Sequence, residues 1–128
     1  MHARLQGDAR VTLLEGQDAR ELTAEMVGAP SVVVCDASFI SLHKLLAVPL
    51  GLAAAGARLV TLFKPQFEVG RENIGKGGIV SDAAAVARAE AAFVDWLGVQ
   101  GWRVEARADS PIKGGDGNAE RLAFAVRD

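Results

Sequence analysis

Apolar residues in this chain come in short runs, and the spacing inside each run says what it forms. Val11-Thr12-Leu13-Leu14 has the length of a short strand, and a weakly helical stretch, Glu21–Val27, follows it. Ser31–Asp36 is apolar from Val32 to Cys35 without alternation, which predicts a strand covered on both faces. The period then changes. Over Ile40–Ala55, residues Leu42, Leu45, Leu46, Pro49 and Leu50 recur along one side of a helix, and Gly56 is placed to stop it. Arg58–Lys64 is the next strand, ended by Lys64-Pro65. From Gly70 to Gly78 there is no period, only a glycine-rich loop. Ser81 or Asp82 can cap the following helix, in which Val86, Ala89, Phe93, Trp96 and Leu97 share a face and Arg88, Glu90 and Asp95 fall elsewhere. Gly101 closes that helix, Trp102–Arg107 is a strand, Ser110–Asn118 is a turn region, and Ala119–Val126 is the last strand.

Strand and helix alternate until the final two strands, which follow one another directly. That order predicts an α/β fold with a mostly parallel sheet and a final antiparallel strand. The 128 residues suffice for one domain, or part of one, and contain no internal repeat or low-complexity linker. With 50% apolar and 23% charged residues the composition is that of a folded chain rather than a disordered one. A net charge of −2 supplies no electrostatic reason to bind nucleic acid. The lone cysteine, Cys35, excludes an internal disulfide and reads as a packed core thiol; with only His2 and His43 beside it, no metal framework is expected. The longest apolar stretch, Leu45–Ala57, is too short to span a bilayer, and Met1–Gln6 has no signal-peptide core, so a cytoplasmic protein without membrane contact is expected.

Ligands of open α/β sheets bind beyond the carboxyl ends of the parallel strands. Asp36 ends one predicted strand and Lys64 ends another, and Glu120 begins the final one. If that last strand is antiparallel, all three groups reach one rim. A lysine between carboxylates suits the activation of a sugar hydroxyl: its ammonium can stabilise a developing alkoxide, or a lysine of depressed pKa can remove the proton. Pro65 restricts Lys64 to extended geometry. Each residue also has a plainer reading. A strand-end aspartate before a serine-containing turn can be a cap, a strand-end lysine can be solvated, and Glu120 beside Arg121 can be a surface pair. Gly75-Lys76-Gly77-Gly78 lacks the spacing of a phosphate loop and reads as a flap.

The strings CDASFISL, LFKPQFEVGRENIGKGGIV and SPIKGGDGNAE, with EGQDAREL before them, resemble the TlyA (haemolysin-A) family of ribosomal RNA 2′-O-methyltransferases, within the FtsJ-like group. The resemblance implies a Rossmann-like S-adenosylmethionine methyltransferase sheet, here incomplete, and a Lys-Asp-Lys-Glu tetrad in which Asp36, Lys64 and Glu120 match the last three members. It also implies that Asp18 and Ala19 lie near the donor's adenine, that Asp36, Ser38 and Phe39 shape the donor pocket, and that Pro65 and Gln66 wall Lys64. No metal is implied. Arg121 departs from the apolar residue the pattern carries after the glutamate. The family's S4-type RNA-binding domain, first tetrad lysine and glycine-rich donor loop have no counterpart in residues 1–128, so the chain reads as the C-terminal part of the methyltransferase domain. On that reading its hold on donor is weak or absent, and its contact with ribosomal RNA runs mainly through the domain it lacks. Three outcomes are expected for the open sheet: a loose N-terminal segment, direct pairing of Val11–Leu14 with Ser31–Asp36, or a homodimer through the exposed edge. A non-catalytic interaction module is the alternative reading.

Overall fold

The computed structural model describes residues 7–38, 40–70, 74–75, 78–112 and 118–128. Four strands, β1 (Val32–Cys35), β2 (Arg58–Phe63), β3 (Trp102–Asp109) and β4 (Arg121–Arg127), form one sheet in the order β1-β2-β4-β3. β1 and β2 are parallel, and β4 is antiparallel to both its neighbours, β2 and β3. Three strands therefore run one way and the last runs back between two of them, as the order of elements predicts. Among the described residues three α-helices accompany the sheet: α1 (Ala24–Val27), α2 (Leu42–Leu52) and α3 (Ala83–Val99).

Alternation along the strands sorts the side chains by face. Leu59 and Phe63 of β2 and Ala123 and Ala125 of β4 are buried against Leu42, Leu46 and Leu50 of α2 and Phe93 and Leu97 of α3, with Val33 and Cys35 of β1 packed on the same cluster. Thr61 is buried on that side too, and its hydroxyl bonds the Leu62 carbonyl at 3.1 Å. Among the described residues the other face carries no such cover. Val32, Val34 and Val60 are exposed there, and Val60, Ala106, Leu122 and Phe124 line a shallow apolar hollow of about 220 Å³. The run Val32–Cys35 predicts burial on both faces, whereas β1 is buried on one only, because α2 and α3 both pack on the same side.

Other boundaries move for local reasons. The helix predicted to reach Ala55 ends at Leu52, where the Arg127 guanidinium donates to the carbonyls of Leu50 (3.0 Å), Gly51 (3.2 Å) and Ala53. Those are the orphan acceptors of a helix C-terminus, which a cation satisfies well. Gly56 then serves the turn into β2, at φ 76°, rather than the helix end. Asp82 caps α3 by accepting from the Ala85 N–H at 3.1 Å. Val11–Leu14 forms no strand: among the described residues it has no ladder partner, and Leu13 and Leu14 are exposed. Of the three outcomes expected for the open sheet, direct pairing with β1 is excluded. Among the described residues no helix is long and apolar enough to cross a membrane.

Candidate functional site

Three strand ends meet at one edge of the sheet. Asp36 follows β1 and Lys64 follows β2, while Glu120 precedes the oppositely directed β4. Phe63 is paired with Arg121, so Lys64 and Glu120 are the next pair beyond that ladder. Parity places all three on the helix-free side: Asp36 continues the row of Val32 and Val34, Lys64 that of Val60 and Leu62, Glu120 that of Leu122 and Phe124.

Lys64 Nζ lies 2.6 Å from Asp36 Oδ1 and donates to Ser38 Oγ at 3.1 Å. The lysine side chain is only 13% exposed, the aspartate 69%. The bond to Asp36 raises the Lys64 pKa above that of an ordinary lysine; burial opposes this, and the charges of Asp36 and Glu120 add to the rise. Of the two roles left open by the sequence, the held ammonium fits and the depressed general base does not. Burial pushes the Cys35 thiol up, although a hydrogen bond with Thr61 works against it, so this sulfur is a poor nucleophile. Glu120 itself is 7% exposed, and its carbonyl accepts from the Ser110 N–H at 2.8 Å.

Several supporting side chains are not picked out by periodicity or spacing. Buried Asn118 accepts from the Val80 N–H (2.9 Å) and donates to the Gly78 carbonyl (2.8 Å), although in the sequence it reads as a turn residue. Arg121 does not pair with Glu120. Its Nε reaches both Glu90 oxygens at 3.2 Å and its Nη1 reaches Asp109 at 2.7 Å, while Arg107 lies 3.6 Å from Glu90. Glu90, predicted to lie off the apolar face of its helix, is buried by that pairing. Glu68 accepts from the Leu42 N–H at 2.8 Å, at the start of α2, and burial lifts its carboxyl to about 7 against the pull of that bond. Periodicity finds none of these, because each partner is distant in the chain.

The candidate donor contacts are placed as follows. Asp18 caps a 3-10 turn, Ala19–Glu21, that packs on α2. Its carboxylate accepts from the Arg20 N–H (2.9 Å) and guanidinium Nη2 (2.7 Å), which hold its pKa down at about 2. Arg20, Ser41, Lys44, Gln66 and Phe67 line a cleft of about 600 Å³. Ser41 Oγ and Gln66 Oε1 are buried and have no hydrogen-bond partner among the described residues. Buried polar atoms without partners are costly, and a polar ligand in the cleft would satisfy them. Buried Pro65 opens the turn that follows Lys64. Ser38 belongs to the lysine's own contacts, whereas Phe39 lies outside the described residues.

Residues 1–126 match the family described as FtsJ-like methyltransferase. The chain is 42% identical over 117 residues to the 16S/23S rRNA (cytidine-2′-O)-methyltransferase TlyA of Mycobacterium tuberculosis, covering 91% of this chain and 44% of that protein. It is 36% identical over 125 residues to Hemolysin A of Brachyspira hyodysenteriae, covering 96% of this chain and 52% of that one. The crystal structure of a Lactococcus lactis protein that carries a hemolysin name superposes with a TM-score of 0.91 at 32% identity, over 99% of this chain and 62% of that one. The chain thus spans about half the length of these curated relatives.

Proposed function

The chain belongs to the FtsJ-like methyltransferase family, and from that premise we propose that it carries the chemistry by which S-adenosylmethionine methylates a ribose 2′-hydroxyl of ribosomal RNA. The observation that carries this reading is the Lys64 ammonium, set between Asp36 and Ser38 and within the field of Glu120. S-adenosylmethionine, as co-substrate, supplies an electrophilic methyl group. The ribose oxygen takes the methyl, the carbon–sulfur bond breaks toward sulfur, and the hydroxyl proton passes to water. Lys64 stabilises the negative charge that builds on the oxygen, and Asp36 and Glu120 hold the lysine charged and in place. The RNA substrate is carried over from the name of the mycobacterial relative, and the cytoplasm is the compartment that substrate implies.

In a preparation that binds S-adenosylmethionine, Lys64→Ala is expected to lower methyl transfer to ribosomal RNA by about 10²–10³-fold, the range for loss of one hydrogen-bond donor that stabilises developing negative charge. A folded Lys64→Ala protein that transfers methyl groups at the parental rate removes the lysine from the mechanism. Asp18 with Ala19, and Asp36, Ser38 and Phe39, are proposed as donor contacts. Residues 1–128 contain no Gly-x-Gly-x-x-Gly loop, the device by which backbone approaches such a ligand closely, so weak donor binding is proposed for this chain alone. Calorimetric titration with S-adenosylmethionine checks it: no saturable heat is expected in the micromolar range, and a clear micromolar isotherm overturns it.

A further inference from the structure

We propose that Asn118 is a positioning residue for Glu120: its amide clasps residues 78–80 and so holds the lead-in to β4 where the glutamate faces Lys64. The inference rests on the reading of Asp36, Lys64 and Glu120 as the reacting group. Asn118 is 3% exposed, too enclosed to touch a substrate, so its effect must pass through a neighbour.

The geometry is that of one amide answering one backbone donor and one backbone acceptor. Asn118 Oδ1 takes the Val80 N–H and Nδ2 gives to the Gly78 carbonyl, at 2.9 and 2.8 Å. The segment it grips is closed on itself. The Gly75 N–H bonds the Ile79 carbonyl at 2.8 Å and the Gly78 N–H bonds the Gly75 carbonyl at 3.1 Å. Gly78 has φ 78°, which favours glycine, and a Cβ on Gly75 would stand tightly at 3.0 Å from the Ile79 oxygen. The clasp therefore ties the lead-in to β4 to the backbone of residues 78–80. Two residues on, the Glu120 carbonyl is fixed by the Ser110 N–H, and β4 pairing begins at Arg121. Loss of the clasp removes one of the ties on the segment that leads into Glu120, while a part-buried backbone donor and acceptor go unanswered.

A role that is only structural would lower stability and nothing else. A positioning role reaches Lys64, which faces the Asp36 and Glu120 carboxylates, the Cys35 thiol and the Ser38 hydroxyl. The experiment is an NMR titration of Lys64 in the chain carrying 13C-labelled lysine, without donor or RNA. Asn118→Ala removes the clasp, Val80→Pro removes its donor without touching residue 118, and Glu120→Gln removes the charge itself. All three are expected to lower the Lys64 pKa, by roughly half a unit or more, as when an opposite charge in a part-buried cluster is withdrawn. A Lys64 titration unchanged in folded Asn118→Ala or Val80→Pro protein, with Glu120→Gln shifted, overturns the proposal. An unchanged titration in Glu120→Gln overturns it as well. Intact coupling in a protein whose methyl transfer is unchanged by Lys64→Ala would instead sink the methyltransferase reading and leave the clasp standing.

Discussion

Glu68 lies at the start of α2, where burial and the Leu42 N–H pull its carboxyl in opposite directions and burial prevails. Its pKa of about 7 in the folded chain stands above the ordinary 4.5. Between those values the native state keeps a proton that the unfolded chain has lost. The carboxyl's contribution to stability is therefore fully present below 4.5 and declines as pH rises toward 7. Glu68→Gln, which keeps an acceptor for Leu42, is expected to flatten that part of the stability profile and to raise the melting temperature at pH 8 by a few degrees. Melting curves across the range check this; a difference that does not vary with pH assigns the effect to something other than ionisation. Lys64 and Asp36 were legible at this scale because strand ends can be read from apolar runs. Glu68, Asn118 and Arg121 were not, since their meaning lies in partners 26 to 40 positions away.

Elements were legible in kind and less so in extent. α3 was placed by its apolar stripe and its cap, and Asp82 does accept from the Ala85 N–H. Asp82→Ala is expected to cost about 0.5–2 kcal/mol in urea unfolding, with Asp82→Asn close to the parent. Equal losses in both would mean that capping is not what the side chain contributes. The end of α2 could not be read in the same way. Gly56 suggested a later stop, but the carbonyls that close the helix are answered by Arg127, which reaches them from the far end of the chain. Val11–Leu14 fails as a strand because a short apolar run gains strand structure only by pairing, and among the described residues it pairs with none.

At the scale of the molecule the sheet is one-sided. Both long helices pack on one face, and among the described residues β1 is an unpaired edge whose Val32 and Val34 are 57% and 74% exposed. Unpaired apolar edges pair with other chains. We propose that this one does so with a second copy, and sedimentation is expected to show a concentration-dependent dimer that Val34→Lys returns to monomer. A chain that sediments as a monomer at high micromolar concentration, before any substitution, ends that proposal. The direction of every strand was legible in the order of elements, whereas the bare face was not, because an apolar strand reads alike whether its second face meets a helix or solvent.

The alternation that carries Asp36, Lys64 and Glu120 to the helix-free side has a consequence for how the gene tolerates change. A single extra codon within the last residues of β1 or β2, or the first of β4, would leave composition, helices and most of the ladder as they are. It would also turn one of the three groups through the sheet, among the leucines on the other side. Point substitutions in these strands are graded by size and polarity, but a one-codon insertion beside the edge acts on handedness of placement and admits no half measure. The lengths of these short strands are thus as much a part of the chemistry as the residues that end them.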